Sequence, residues 1–188
     1  MKVALAQVIR VKATLARQVS RLLFQLEEQD IQLIILKSTP RLDLGGDEAI
    51  GPFNEGEVVT LPAWQALHLV KAGLAKFRND EPINLAELYD CLWKEERQAA
   101  LQPLPKNFLL RLRFFIEASP DDEKKKISSV FRDLMCRRLE KVVKAALRAR
   151  QNMKATENML PEEKVLYSEL ASNINEWLSV LHKFLNIE

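Results

Sequence analysis

Four basic residues on one predicted helix form the clearest chemical pattern in this sequence. Arg137, Lys141, Lys144 and Arg148 are separated by four, three and four residues, a spacing that aligns side chains along one helix face. This basic ridge could bind nucleic-acid phosphates or the acidic side chains of another protein. An ordinary solvated helix face produces the same pattern. The formal net charge of only +2 confines any nucleic-acid surface to a local patch.

Residues that usually carry catalysis or bind metals are few and scattered. His68 and His182 are each alone on a predicted helix, and Cys91 and Cys136 form no CxxC. Neither a two-histidine metal site nor a cysteine-histidine dyad therefore has local support. The sequence also contains no GxxxxGK[ST] loop, and no GxGxxG follows a predicted strand. We expect no enzyme activity, no metal and no cofactor.

Cysteine usage and hydropathy indicate the cellular setting. Both cysteines fall within predicted helices, and we expect them to be free, reduced and buried. The lack of a disulfide framework suits a cytoplasmic or nuclear protein. No run approaches the roughly 18 to 20 apolar residues that span a bilayer. The sequence is thus typical of a soluble globular protein, with 47% hydrophobic residues and 29% charged residues.

The basic ridge must be positioned by a long helix that we predict from Ser119 to Arg150. Ser119 is placed as the N-cap, Pro120 occupies the first helical position, and three acidic residues follow at the positive end of the helix dipole. No glycine or proline interrupts the helix. Its apolar residues recur at helical spacing and predict the central helix of a bundle. They are Ile127, Phe131, Leu134, Leu139, Val142, Val143, Ala146 and Leu147.

Residues 84–188 are predicted to form an α-helical domain around this helix. Further helices are expected after Asn84, around Phe108 and after Pro161, each with an apolar stripe. The stripe of the last helix runs in alternating steps of three and four residues, which is typical of a bundle seam. It comprises Leu166, Leu170, Ile174, Trp177, Leu181 and Phe184. We expect Trp93 and Trp177 to lie in the core.

Four residues are candidates for a protein interface. Leu109, Leu110 and Phe114 lie beyond the main stripe of their short helix, so either a surrounding core or a protein partner covers them. We favour a partner. Trp64, at the start of another short helix, is a candidate interface anchor because tryptophan is enriched at binding hot spots.

Residues 31–80 are predicted to form a small β-rich domain. All five glycines of the chain lie between positions 45 and 73, which concentrates the turns there. Strands are predicted at Ile31 to Lys37, Glu57 to Leu61 and Leu74 to Phe77, with a short helix from Ala63 to Ala72 that ends at Gly73. The predicted fold class is therefore mainly α, a helical bundle domain preceded by a small β-rich module.

Residues 1–30 are predicted to form an N-terminal helical segment, although Lys2 to Val11 could equally alternate as a strand. They are amphipathic, and residues 1–26 contain arginines but no acidic residue, a composition that also resembles a mitochondrial transit peptide. The spacing Leu15, Val19, Leu22, Leu26 continues into Glu27 and favours a folded helix or a coiled-coil-like contact.

The order of these features resembles a subunit of the GINS complex of DNA replication, of the archaeal kind. Leu85 to Trp93 (LAELYDCLW) and Leu101 to Phe108 (LQPLPKNF) look like the opening of the family's helical A domain. Leu134 to Leu147 looks like its central basic helix, and Asn158 to Leu170 like its closing helix. The segment Ile50 to Phe77 resembles the small B domain. The first thirty residues depart from the pattern, and Leu160 stands where a threonine cap is usual.

The resemblance implies a non-enzymatic scaffold that links and activates the MCM helicase and joins a RecJ-like replication factor. In this chain the B-like segment precedes the A-like domain. That order would assign the chain to the class of the second and third eukaryotic subunits, although its B-like segment also resembles that of the class in which the A domain comes first. The implied assembly is a tetramer of one or two subunit types, any DNA contact being indirect. The implied location is cytoplasmic and nucleoid-associated, or nuclear if eukaryotic. A helical nucleic-acid-binding regulator that uses the basic ridge is the alternative.

Overall fold

A computed structural model describes residues 2–45, 49–78, 82–148 and 156–187, with side chains from residue 15 onward. Six helices and three strands are found in these ranges. The helices are α1 Lys2–Glu27, α2 Ala63–Lys71, α3 Leu85–Arg97, α4 Phe108–Ala118, α5 Asp121–Leu147 and α6 Pro161–Leu185, and the strands are β1 Asp30–Ile35, β2 Val58–Pro62 and β3 Ala75–Phe77. The predicted fold class, mainly α with a small β-rich part, is confirmed. No helix among the described residues is long and apolar enough to cross a membrane.

The chain forms two compact units, each assembled from separate stretches of sequence. The bundle unit comprises Met1–Leu22, Leu88–Pro105 and Ser128–Glu188. The sheet unit comprises Leu23–Glu87 and Lys106–Ile127. Compactness thus groups α4 with the strands, whereas the sequence divides the chain into three consecutive segments. That three-part division stays a prediction.

In the sheet unit, three antiparallel strands are arranged in the order β2-β1-β3. Leu33 of the central strand is paired with Val59 on one side and Phe77 on the other. Alternate residues Ile31, Leu33 and Ile35 are buried, as expected for a strand with one face on a core. All three predicted strands are present within one or two residues of their expected bounds.

The helix α2 ends at Lys71, and Gly73 occupies the C′ position after the C-cap Ala72, as predicted. Gly73 has a φ of +67°, a left-handed conformation that glycine adopts without strain. Its N–H donates to the carbonyl of Val70, and the next N–H, of Leu74, donates to Leu69. These two bonds satisfy the last carbonyls of the helix and turn the chain into β3.

The long helix α5 begins at Asp121 and is described to Leu147, close to the prediction of Ser119 to Arg150; Arg150 lies outside the described residues. Ser119 has extended backbone, and the N–H of Lys124 donates to the carbonyl of Pro120. The predicted core face is wrong at Leu139 and Leu147, which are exposed. The preceding residue, Arg138, is fully buried instead, as are the predicted core residues Ile127 and Leu134.

The helix α6 is less buried than its apolar spacing predicts. Its N-terminus is capped by Glu163, whose carboxylate accepts the N–H of Leu160 at 2.8 Å. Only Glu163 and Ala171 are buried along its length. Trp177 and, on α3, Trp93 were predicted to be core, but both are exposed.

Candidate functional site

A buried arginine lies at the centre of the bundle unit. Arg138 of α5 is 0% exposed, and its Nε and Nη2 donate to the two carboxylate oxygens of Glu163 on α6, both at 2.8 Å. Its Nη1 donates to Glu95 of α3, also at 2.8 Å. A guanidinium matches a carboxylate in this two-bond geometry, which a lysine cannot reproduce.

The same side chain also fixes two connections between helices. Nη1 of Arg138 donates to the carbonyl of Gln102 after α3, and Nη2 donates to the carbonyl of Asn158 before α6, each at 2.8 Å. All five N–H groups of the guanidinium are thereby used. Arg138 joins three helices and two connecting segments of the bundle unit.

The electrostatics of this cluster keep its charges paired. Burial by itself lowers the pKa of Arg138, but the hydrogen bonds and charge of Glu163, together with those of Glu95, outweigh it and raise that pKa above its ordinary value. We call Arg138, Glu95, Glu163 and Lys141 the Arg138 network. It contains two positive and two negative groups, so the interior holds no net charge.

The structure divides the basic ridge into two parts. Lys141 belongs to the Arg138 network, since its ammonium donates to the carboxylate of Glu95 at 2.5 Å and to the carbonyls of Glu95 and Ala100 at 2.6 and 3.1 Å. Arg137 is exposed, with carboxylates of Glu96 and Glu140 at 3.7 and 3.8 Å. The ridge is therefore not four free cations.

The other two residues of the basic ridge are available to a ligand. Lys144 and Arg148 are exposed, and neither makes an ion pair with any residue that the structure describes. Sequence reasoning placed all four cations on one solvated face, because helical spacing alone carries no information about what faces Lys141.

Two of the four predicted interface residues lie in a core instead. Leu110 and Phe114 are only 3% and 1% exposed, and Phe114 stacks on Phe77 with ring centroids 4.3 Å apart. The surrounding core, not a partner, therefore covers them. Leu109 and Trp64 are half-buried, and a partner contact at these two residues stays a prediction.

Exposed apolar side chains occur on α6, where sequence reasoning expected a buried seam. Trp177 is 62% exposed and Phe184 is 81% exposed. The remaining members of this α6 apolar surface are Val180, Leu185 and Ile187. On α3, Tyr89 and Trp93 are also exposed. The sequence contained a signal for this exposure. Phe184 and Leu185 are adjacent, so both cannot belong to one narrow apolar stripe of a helix.

The cysteines and histidines differ in burial. Cys91 is buried as expected, whereas Cys136 is exposed, so that half of the prediction is wrong; both are free thiols. His68 and His182 are exposed. Within the described ranges, no group of three or more His, Cys, Asp or Glu residues is arranged to hold a metal ion.

Comparison with protein families identifies the helical part of the chain. The family described as "GINS complex protein helical bundle domain", Sld5, matches residues 74–182, more than half of the chain. The chain belongs to the GINS family. No curated protein matches it significantly. The matched range includes all of α3, α4 and α5 and most of α6, so the Arg138 network lies within the family domain.

Membership of the GINS family indicates that the chain is part of a multi-subunit complex. It is a replication-associated GINS subunit, and other GINS subunits are its partners. GINS subunits are structural members of their complex and are not catalytic. The exposed apolar side chains of α6 are therefore candidate contacts to another subunit.

Proposed function

We propose that this chain is a non-enzymatic scaffold subunit of an archaeal-type GINS complex that links and activates the MCM replicative helicase. Its B-like module precedes its A-like bundle, and a RecJ-like factor is a further partner. The family match over residues 74–182 supports this proposal, as does the three-stranded sheet that precedes α3 in sequence. The complex would act in the cytoplasm beside the nucleoid.

The observation that carries the scaffold role is the α6 apolar surface. Five large apolar residues between Trp177 and Ile187 each expose more than half of their surface. Exposed apolar side chains concentrated in one short stretch commonly mark protein interfaces. We propose that another subunit covers it, in a tetramer of one or two subunit types.

Light scattering of the purified chain, alone and mixed with candidate GINS subunits from its own source, tests this assembly. We expect a tetramer or a co-assembled complex, with each stable contact burying more than about 1,000 Å². The variant Trp177→Asp/Phe184→Asp should shift the mass toward the monomer, because two charges would have to be desolvated in the interface.

A matched control carries the same two aspartates at exposed polar positions of α6. Ser172→Asp/Ser179→Asp, on the helix face opposite Trp177 and Phe184, should leave the mass unchanged. A well-folded wild-type monomer that ignores the other subunits would refute the proposal. Equal dissociation in both variants would refute the role of the α6 apolar surface.

The links to MCM and to the RecJ-like factor need their own test. The assembled complex should retain both proteins in a pull-down and should increase the unwinding rate of MCM. A complex that assembles but neither retains nor stimulates MCM would leave this chain a GINS subunit without the proposed helicase role.

The structure gives less support to the alternative function, a nucleic-acid-binding regulator that uses the basic ridge. It required a ridge of four cations, but Lys141 is committed to Glu95 and Arg137 is flanked by two carboxylates. Duplex binding that falls steeply with salt, and that is abolished by Lys144→Glu, would nevertheless favour this alternative.

A further inference from the structure

A cavity of about 850 Å³ lies in the bundle unit, and Lys144 and Arg148 of the basic ridge are among the residues that line it. Its walls come from the C-terminal end of α3, from the connection that follows α3, and from the outer face of α5. Arg137, Lys144 and Arg148 line it from α5, and Ala99, Ala100 and Leu101 line it from the connection. The cavity therefore combines cations with small apolar surface.

The cations that line this cavity differ in whether they are already paired. Lys141 is saturated by three acceptors, whereas Lys144 and Arg148 are exposed without an ion pair among the described residues. Four residues separate them, which corresponds to about 6 Å along the helix axis. Two carboxylates of an extended or helical segment can meet this spacing.

The acids on the same walls decide which kind of anion fits. Glu96, Glu140 and Glu157 also line the cavity, so a polyphosphate that runs along the whole ridge would meet like charges. A protein segment places its carboxylates singly, and small side chains between them can lie on Ala99 and Ala100. The charge distribution therefore favours an acidic peptide over nucleic acid.

We propose that an acidic segment of a partner protein binds in this cavity, with its carboxylates on Lys144 and Arg148. This inference deepens the proposed function and rests on it only for the setting, a protein assembly. The segment is distinct from whatever covers the α6 apolar surface, because the two surfaces share no residue.

Fluorescence anisotropy of the full chain with a labelled peptide of about 12 residues, two of them Glu at positions i and i+2 and the rest Ala and Gln, tests the proposal. We expect saturable binding that weakens with added salt. The variant Lys144→Glu/Arg148→Glu should lower the affinity about tenfold or more, since two attractive pairs become repulsive. The matched control Lys125→Glu/Lys126→Glu makes the same charge change at exposed α5 positions outside the cavity. It should bind like wild type.

Three results would overturn the proposal. They are an equal loss of affinity in the control, the absence of saturable binding, and tighter binding of a duplex of about 20 base pairs that the cavity variant alone abolishes. Light scattering on the same samples separates this test from that of the assembly. A monomer that still binds the peptide refutes only the assembly, and a tetramer that does not bind it refutes only the cavity.

Discussion

Replacing Arg138 with methionine removes a guanidinium that donates five hydrogen bonds inside the bundle unit. The methionine fills most of the space of the arginine stem, so the change tests the charge and its bonds more than the packing. Glu163 would keep a buried carboxylate without its cation. The carbonyls of Gln102 and Asn158 would each lose a donor.

The expected loss of stability follows from these contacts. Removing one partner of a buried ion pair costs roughly 3–5 kcal/mol, because the remaining charge stays desolvated. Each carbonyl left unpaired adds about 1 kcal/mol where water does not reach it. Partial relaxation offsets part of this sum. We expect a loss of about 4 kcal/mol, against the roughly 5–15 kcal/mol by which a domain is usually stable.

Urea unfolding of the full chain measures this loss as the change in the free energy of unfolding. The neighbouring Arg137→Met is the control, since its exposed pairs at 3.7 and 3.8 Å are worth at most about 1 kcal/mol. The stabilisation that the Arg138 charge gives the wild type should not vary across neutral pH. The raised pKa of Arg138 means that its stabilisation is fully present below its ordinary pKa and is lost only as the pH rises through the folded value.

A combined variant makes the reasoning sharper. Arg138→Met with Glu163→Gln should recover at least about half of the lost stability, because it also removes the carboxylate that Arg138→Met leaves unpaired, while Glu95 keeps its pair with Lys141. The account of the Arg138 network is wrong if Arg138→Met costs no more than Arg137→Met. It is also wrong if the combined variant is less stable than Arg138→Met alone.

Three further outcomes are expected. Phe114→Ala should lower the free energy of unfolding by roughly 3–5 kcal/mol in urea, as a core residue and not as a partner contact; a change below about 1 kcal/mol would contradict this. The hydrogen bond from Lys71 lowers the pKa of Glu117, so stability from this half-exposed pair exists above the ordinary carboxyl pKa and is lost as the pH falls through the folded value. Glu117→Gln should thus lower the Tm slightly at neutral pH, and the gap should close as the pH falls below the ordinary carboxyl pKa. Ellman's reagent should titrate Cys136 in the folded chain and Cys91 only after unfolding; two fast thiols would contradict the burial of Cys91.

Local elements were predictable because their signals are local. Pro62, Gly73 and the apolar run from Ile31 mark helix and strand ends through backbone conformation, and those elements have nearly the predicted bounds. The start of α5 followed in the same way from Ser119 and Pro120. These signals act within a few residues, so tertiary contacts changed them little.

Burial was predictable only in part, because it depends on partners far away in the sequence. Leu110 and Phe114 were predicted to contact a partner, because no local sequence signal shows that they belong to the core of the sheet unit. Arg138 was overlooked because an arginine is rarely fully buried unless paired, and its pairs are 25 and 43 residues away. Its neighbour Leu139, apolar and nearly in register, was placed inside instead.

The candidate site was predictable as a pattern but not as a surface. The basic ridge was correctly located on α5, yet helical spacing could not separate Lys141, which is committed internally, from Lys144 and Arg148. The α6 seam was read as core because an interface and a core require the same apolar periodicity. Only the exposure of Trp177 and Phe184 distinguishes them.

The Arg138 network also restricts how this sequence can change over evolutionary time. A single substitution in the network leaves a charge in the bundle interior uncompensated, whereas simultaneous replacement of Arg138, Glu95, Glu163 and Lys141 by apolar residues is energetically tolerable. Relatives should therefore divide into two groups, one with all four charged residues and one with none, and intermediates should be rare. The interior of the bundle unit would then record common descent more faithfully than its exposed helix faces, which are free to diverge with their partners.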